Sequence, residues 1–143
     1  MTTPPASSHL VYLTCFINMK SGHHAIYVDT EERVAGHYVH VVGSLQQGMT
    51  FEAREGPHPV LRATFDWMKP VGRVPEGKFA QVEAVCQTVP APAKQYDLNR
   101  LLVPRDQIRH CQHWAAEAIE MLRDNGVLEP LGPNDSEDVI YRT

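Results

Sequence analysis

The chain has 143 residues, a formal net charge of −4 at pH 7, 21% charged residues and 43% hydrophobic ones. That length fits one domain able to bury its own core, and those proportions exclude a disordered chain, a fibre and a coiled coil. The acidic balance argues against a basic face that reads nucleic-acid phosphates.

Residues 1–8 read as a loose, proline-bearing leader. Residues 9–18 are rich in Val, Tyr, Thr, Phe and Ile and predict a buried strand. Their apolar run is too short to span a membrane and lacks a basic region before it, so neither a membrane span nor a signal peptide is expected. Residues 23–28 and 37–42 predict two further strands, and the polar link 29–36 makes them a hairpin. Gly43 and Gly48 mark turns, with a short strand over 49–54. Four prolines punctuate 55–76, which predicts loop with a short element near 61–67. Residues 78–88 read as a strand, Pro90 and Pro92 as a stiff link, and 96–102 as a short helix. The clearest helix spans 108–125: Cys111, Ala115, Ala118, Ile119 and Leu122 form one apolar stripe, and Gly126 stops it. Residues 130–143 read as an acidic tail. Strands first and a helix last predict an α+β domain over 9–129 rather than alternating α/β.

Eight histidines and three cysteines are the unusual entries in the composition. The cysteines, Cys15, Cys86 and Cys111, are far apart with no CxxC pair, which predicts free thiols and a cytoplasmic chain. Cys111 falls near a helix start, where free N–H groups and a partial positive charge favour a thiolate and can stabilise an oxyanion. Such a nucleophile needs a base. His23 and His40 fall near opposite places on neighbouring strands, one to take the proton and one to orient its ring.

Three blocks carry a resemblance. Gly22-His23-His24-Ala25-Ile26-Tyr27-Val28 resembles the H-W-A-I-Y-V strand of the lecithin:retinol acyltransferase-like group, permuted relatives of the NlpC-type papain-like enzymes. Tyr38-Val39-His40-Val41-Val42-Gly43 is similar to that group's second histidine strand, and Arg109-His110-Cys111-Gln112-His113-Trp114 to its R-N-C-E-H-F helix start. The order histidine, histidine, cysteine is the group's own, and the pattern looks closest to small fungal members. The resemblance implies a single domain of the permuted papain-like fold, an antiparallel sheet packed on helices. It implies acyl transfer through a thioester, hydrolytic or to an acceptor, including natural-product tailoring. In it Cys111 is the nucleophile, His23 the base and His40 its orienting partner. His24 stands where the group has tryptophan and His110 where it has asparagine, which makes both candidate modulators of the chemistry.

The expected partner is a small-molecule or acyl/peptidyl substrate, with no cofactor and no nucleic acid. A different class of reading is an inactive papain-like module that binds a ligand. A third is a metal enzyme that uses His23, His40 and Cys111 as ligands, although no HxH, HExxH or CxxC spacing supports it. His37 reads as surface or packing, His9 and His58 as solvated, and His113 as pointing away from the thiol. Cys86, mid-strand, and Cys15 read as core. Trp114 reads as a core aromatic, while Trp67 and Phe65 are candidates for lining an acyl pocket.

Overall fold

The computed structural model describes residues 7–18, 22–137 and 139–142. Four segments rich in β-branched and aromatic residues form an antiparallel meander: β1 (Ser8–Phe16), β2 (His23–Glu31), β3 (Ala35–Ser44) and β4 (Gly48–Pro57). β5 (Phe65–Pro75) returns to the other side of β1. After it come α1 (Phe79–Gln87), a small ribbon of β6 (Tyr96–Asp97) and β7 (Arg100–Leu101), and α2 (Cys111–Asp124). β8 (Ile140–Tyr141) closes the sheet on β5, giving the order β4-β3-β2-β1-β5-β8. This is the expected single α+β domain with a mostly antiparallel sheet. No helix among the described residues is long and apolar enough to cross a membrane.

The inner strands are buried on both faces, so they read as near-continuous apolar runs. Val11, Ile26, Val28, Val39 and Val41 face α2 and pack on Trp114, Ala115, Ala118 and Leu122. On the opposite face Tyr12, Phe16, Ala25, Tyr27, Tyr38, Phe65 and Met68 form a second core. Trp114 is fully buried and its indole Nε1 donates to the Val89 carbonyl at 3.0 Å, which fixes α2 on the sheet. Successive strand residues point to opposite faces, so the sheet separates His23 from His24.

Three predicted elements are corrected. Residues 78–88 hold α1, not a strand: Phe79, Val82 and Cys86 follow a helical period, and the helix buries Val82 and Cys86. Residues 96–102 form the β6–β7 hairpin, not a helix, turning through Leu98 at φ +55°. The stretch expected as loop contains β5, an eleven-residue strand. Pro70 is tolerated there because it pairs with Tyr12 beside a bulge between Val11 and Tyr12, where the regular ladder is interrupted. The expected acidic tail is tied back: Asp135 accepts two hydrogen bonds from Arg73 at 2.7 and 3.0 Å, and β8 pairs with β5. Of the expected leader, Ser8 already belongs to β1, and residues 1–6 lie outside the described residues.

Candidate functional site

β2 and β3 pair so that Ile26 meets Val39 and Tyr27 meets Tyr38. In that register His40 stands diagonal to His23 on the same face. The rings meet: His23 Nε2 lies 2.8 Å from His40 Nδ1. β3 and β4 pair His40 directly with Glu52, and His40 Nε2 lies 2.9 Å from Glu52 Oε1. Glu52 also holds Arg54 Nε at 3.4 Å. Glu52 is the residue that sequence reasoning missed. Its signal was the Gly43–Gly48 turn, since folding the chain back there sets position 52 opposite position 40.

This row of side chains dictates its own protons. Glu52 is held below the usual carboxylate range, chiefly by its hydrogen bond to His40, so it accepts. Neutral His40 then carries its proton on Nε2 and accepts at Nδ1. Neutral His23 therefore donates from Nε2, which leaves its Nδ1 lone pair without a hydrogen bond among the described residues. Burial first, then the charges of His40 and His24, lowers the His23 pKa to about 4. Burial also lowers His40, against the pull of Glu52. Both rings are neutral near pH 7.

Cys111 is the first residue of α2 and is 8% exposed. The segment before it is clamped by buried Gln95, whose side chain bonds the Arg109 N–H and the Arg109 carbonyl, each at 2.7 Å. His110 caps the helix: its Nδ1 accepts from the Gln112 N–H at 3.2 Å, while His113 Nδ1 accepts from the His110 N–H at 3.0 Å. So His113 has a structural task in the first turn of α2.

Alternation places Cys111 with the helix-side core and His23 on the other face, yet both line one cavity at the end of β2. Gly22 makes this possible. Its φ is +99°, and a Cβ there would lie 2.7 Å from Cys15 Sγ. Its carbonyl accepts from Gln112 Nε2 at 3.2 Å and faces Cys111 Sγ at 4.0 Å. Among the described residues that carbonyl is the thiol's hydrogen-bond partner. His23 and Cys111 share a cavity of about 460 Å³ that Gly43, Met49 and Tyr96 also line.

The remaining candidates disperse. His24 lies on the α2 side, edge-on to Trp67 at 5.4 Å, and burial followed by the charges of His110 and Lys69 lowers its pKa. His37 packs against Phe79. His58 is buried and caps the turn Pro59–Leu61 through Nδ1, and His9 pairs with Glu76, so neither is simply solvated. Cys86 is core as expected, but on α1, and burial pushes its thiol up to about 12. Cys15 is buried on β1. Trp114 is core, and Phe65 lies in the core opposite α2. Trp67 lines a separate shallow pocket with Lys69, Val139 and Tyr141. No group of three or more His, Cys, Asp or Glu placed to hold a metal ion is found among the described residues.

A family model, DUF6540, described as a family of unknown function, matches residues 11–129. The chain belongs to this family. The DUF6540 span runs from β1 to the residue that bridges Arg73 after α2, and it contains His23, His40, Glu52 and Cys111. No curated protein and no solved structure matches the chain.

Proposed function

We propose that the protein is a cysteine-dependent acyl-transfer enzyme of the permuted papain-like type, acting on an amide, ester or thioester. The observation that carries this reading is the row Glu52–His40–His23, at 2.9 and 2.8 Å, which leaves His23 Nδ1 unengaged while His23 and Cys111 line one cavity. The order of the three blocks and an antiparallel sheet carrying both histidines against α2 agree with the resemblance.

In this mechanism the thiol rotates off the Gly22 carbonyl toward His23, as catalytic hydrogen bonds often tighten only with substrate bound. Cys111 Sγ attacks the substrate carbonyl carbon, and its proton passes to His23 Nδ1. The oxyanion takes a hydrogen bond from the Cys111 backbone N–H, which as a first-turn amide has no intrahelical partner. His23 returns the proton to the leaving group and a thioester remains on Cys111. Water, an amine or an alcohol then attacks the thioester, with His23 again as base. His40 and Glu52 do not touch the reacting atoms; they hold the His23 tautomer and ring plane.

A second reading, a binding module without covalent chemistry, draws on the thiol's resting contact with Gly22 rather than His23. Intact-mass spectrometry separates the two. Incubation with a panel of acyl phenyl thioesters is expected to add one acyl mass to the wild type and none to Cys111→Ser. Adduct formation that persists in the serine variant refutes Cys111 as nucleophile, and binding of the panel with no adduct and no thiophenol released selects the module.

A further inference from the structure

The cavity at Cys111 continues past His23 into a second one of about 420 Å³ on the opposite sheet face, the two sharing Asn18, His23, Gly43 and Met49. Phe16, Tyr38 and Val42 make that second cavity largely apolar, and Arg54 and Arg62 also line it. The Arg62 guanidinium lies 4.6 Å from the Tyr38 ring centroid and 5.7 Å from that of Phe16. The Tyr38 hydroxyl donates to the Pro57 carbonyl at 2.5 Å. Arg62 Nε is buried without a hydrogen-bond partner, and no carboxylate among the described residues lies within ion-pair distance of Arg62.

The arginine is held in place by its backbone. The Arg62 N–H donates to the Pro59 carbonyl at 3.0 Å, the Arg62 carbonyl accepts from the Phe65 N–H at 3.1 Å, and the Thr64 carbonyl accepts from the Ile17 N–H at 2.7 Å. A half-buried guanidinium fixed over two rings, with no carboxylate beside it, leaves a positive charge on the cavity wall that an anion would balance. The surrounding charge selects the kind of anion. Arg54 adds a second positive charge and Glu52, beside it, one negative charge. Because Glu52 already partners Arg54, the net charge left at the cavity suits a planar monoanion better than a dianion.

We propose that this second cavity binds a carboxylate carried by the substrate, so that the enzyme acts on acyl groups ending in a carboxylate. The acyl carbonyl lies at Cys111 and the chain passes His23 at the end of β2 to Arg62. This rests on the acyl-transfer reading for the word acyl; the anion site itself does not.

The test has two arms. In the first, glutaryl and pentanoyl phenyl thioesters, of equal chain length, are compared by thiophenol release. The glutaryl ester is expected to have the higher kcat/KM, by about tenfold or more. That preference should vanish in Arg62→Met and be partly kept in Arg62→Lys. In the second arm, calorimetry on Cys111→Ser compares pentanoate, pentanamide and methylphosphonate, with pentanoate alone expected to bind. Turnover with no glutaryl preference in the wild type, together with no pentanoate binding, overturns the carboxylate site and leaves acyl transfer standing. Arg62-dependent pentanoate binding with neither ester turned over keeps the site and defeats acyl transfer. Tighter binding of methylphosphonate overturns the carboxylate assignment. The wild-type comparisons do not depend on any Arg62 variant folding.

Discussion

Glu52 has no proton to give near neutral pH, and that one property decides which nitrogen of His23 is basic. A carboxylate at the far end of two imidazoles, through contacts of 2.9 and 2.8 Å, works as a tautomer lock rather than as a proton store. Removing either lock residue should therefore lower the rate without removing the nucleophile. His40→Ala is expected to lower kcat for thioester turnover by about tenfold or more, with KM little changed, because it frees the His23 ring to turn and to take the other tautomer. Glu52→Gln keeps an acceptor toward His40 and should cost less than Glu52→Ala. Equal losses in the two Glu52 variants would remove the tautomer argument.

At the scale of elements, the first turn of α2 has two jobs. It anchors the helix through fully buried Trp114, and it presents Cys111. Trp114→Ala is expected to cost about 3–5 kcal/mol in a denaturant titration, since a large aromatic leaves a cavity and the Val89 carbonyl loses its donor. The first turn is capped by two histidines whose rings lie 4.1 Å apart. His110 caps only while Nδ1 is unprotonated, and its pKa is lowered, by burial first and then by the His113 charge. Its contribution is complete above pH 6.5, the ordinary histidine value, and is lost as the pH falls below it. His110→Asn supplies a cap that does not titrate. The variant should match the wild type at pH 7.5 and exceed it in stability at pH 5, by about 0.5–1 kcal/mol. His110→Ala should be weaker at pH 7.5 by about 1 kcal/mol. An asparagine variant no better than wild type at pH 5 would discard the histidine cap as a pH-sensitive element.

For the molecule as a whole, burial depresses five histidines in the same direction: His23, His24, His40, His58 and His110. Below pH 6.5 the unfolded chain binds these protons before the folded chain does, so stability is complete above that pH and falls beneath it. His23 alone, lowered from 6.5 to about 4, accounts for at most about 3 kcal/mol, reduced by solvent at the cavity mouth. Thermal unfolding is expected to shift to lower temperature between pH 6.5 and pH 4, with a shallower shift in His23→Gln. A melting temperature flat across that range would contradict the buried, neutral state of these rings.

The sequence by itself determined the inner sheet and the main helix. β1 to β3 stood out because strands buried on two faces are largely apolar, and α2 because its stripe has a helical period closed by Gly126. It also singled out His23, His40 and Cys111 as candidates, since they lie in short local patterns. What it left open depends on partners distant in the chain. β5 is a strand despite Pro70 because a bulge at Val71, in β5 itself, interrupts the ladder with β1 beside it. α1 is a helix despite its β-forming valines because α2 offers Val82 and Cys86 a face to pack on. Glu52 and Arg62 are ordinary surface residue types until register sets one beside His40 and a backbone turn lays the other over Phe16 and Tyr38. Gly22, which reads as a plain strand breaker, brings the thiol and the base to one cavity only because the sheet ends there and α2 begins against it. Local pattern selects residue types and elements, whereas register and packing decide which side chains meet.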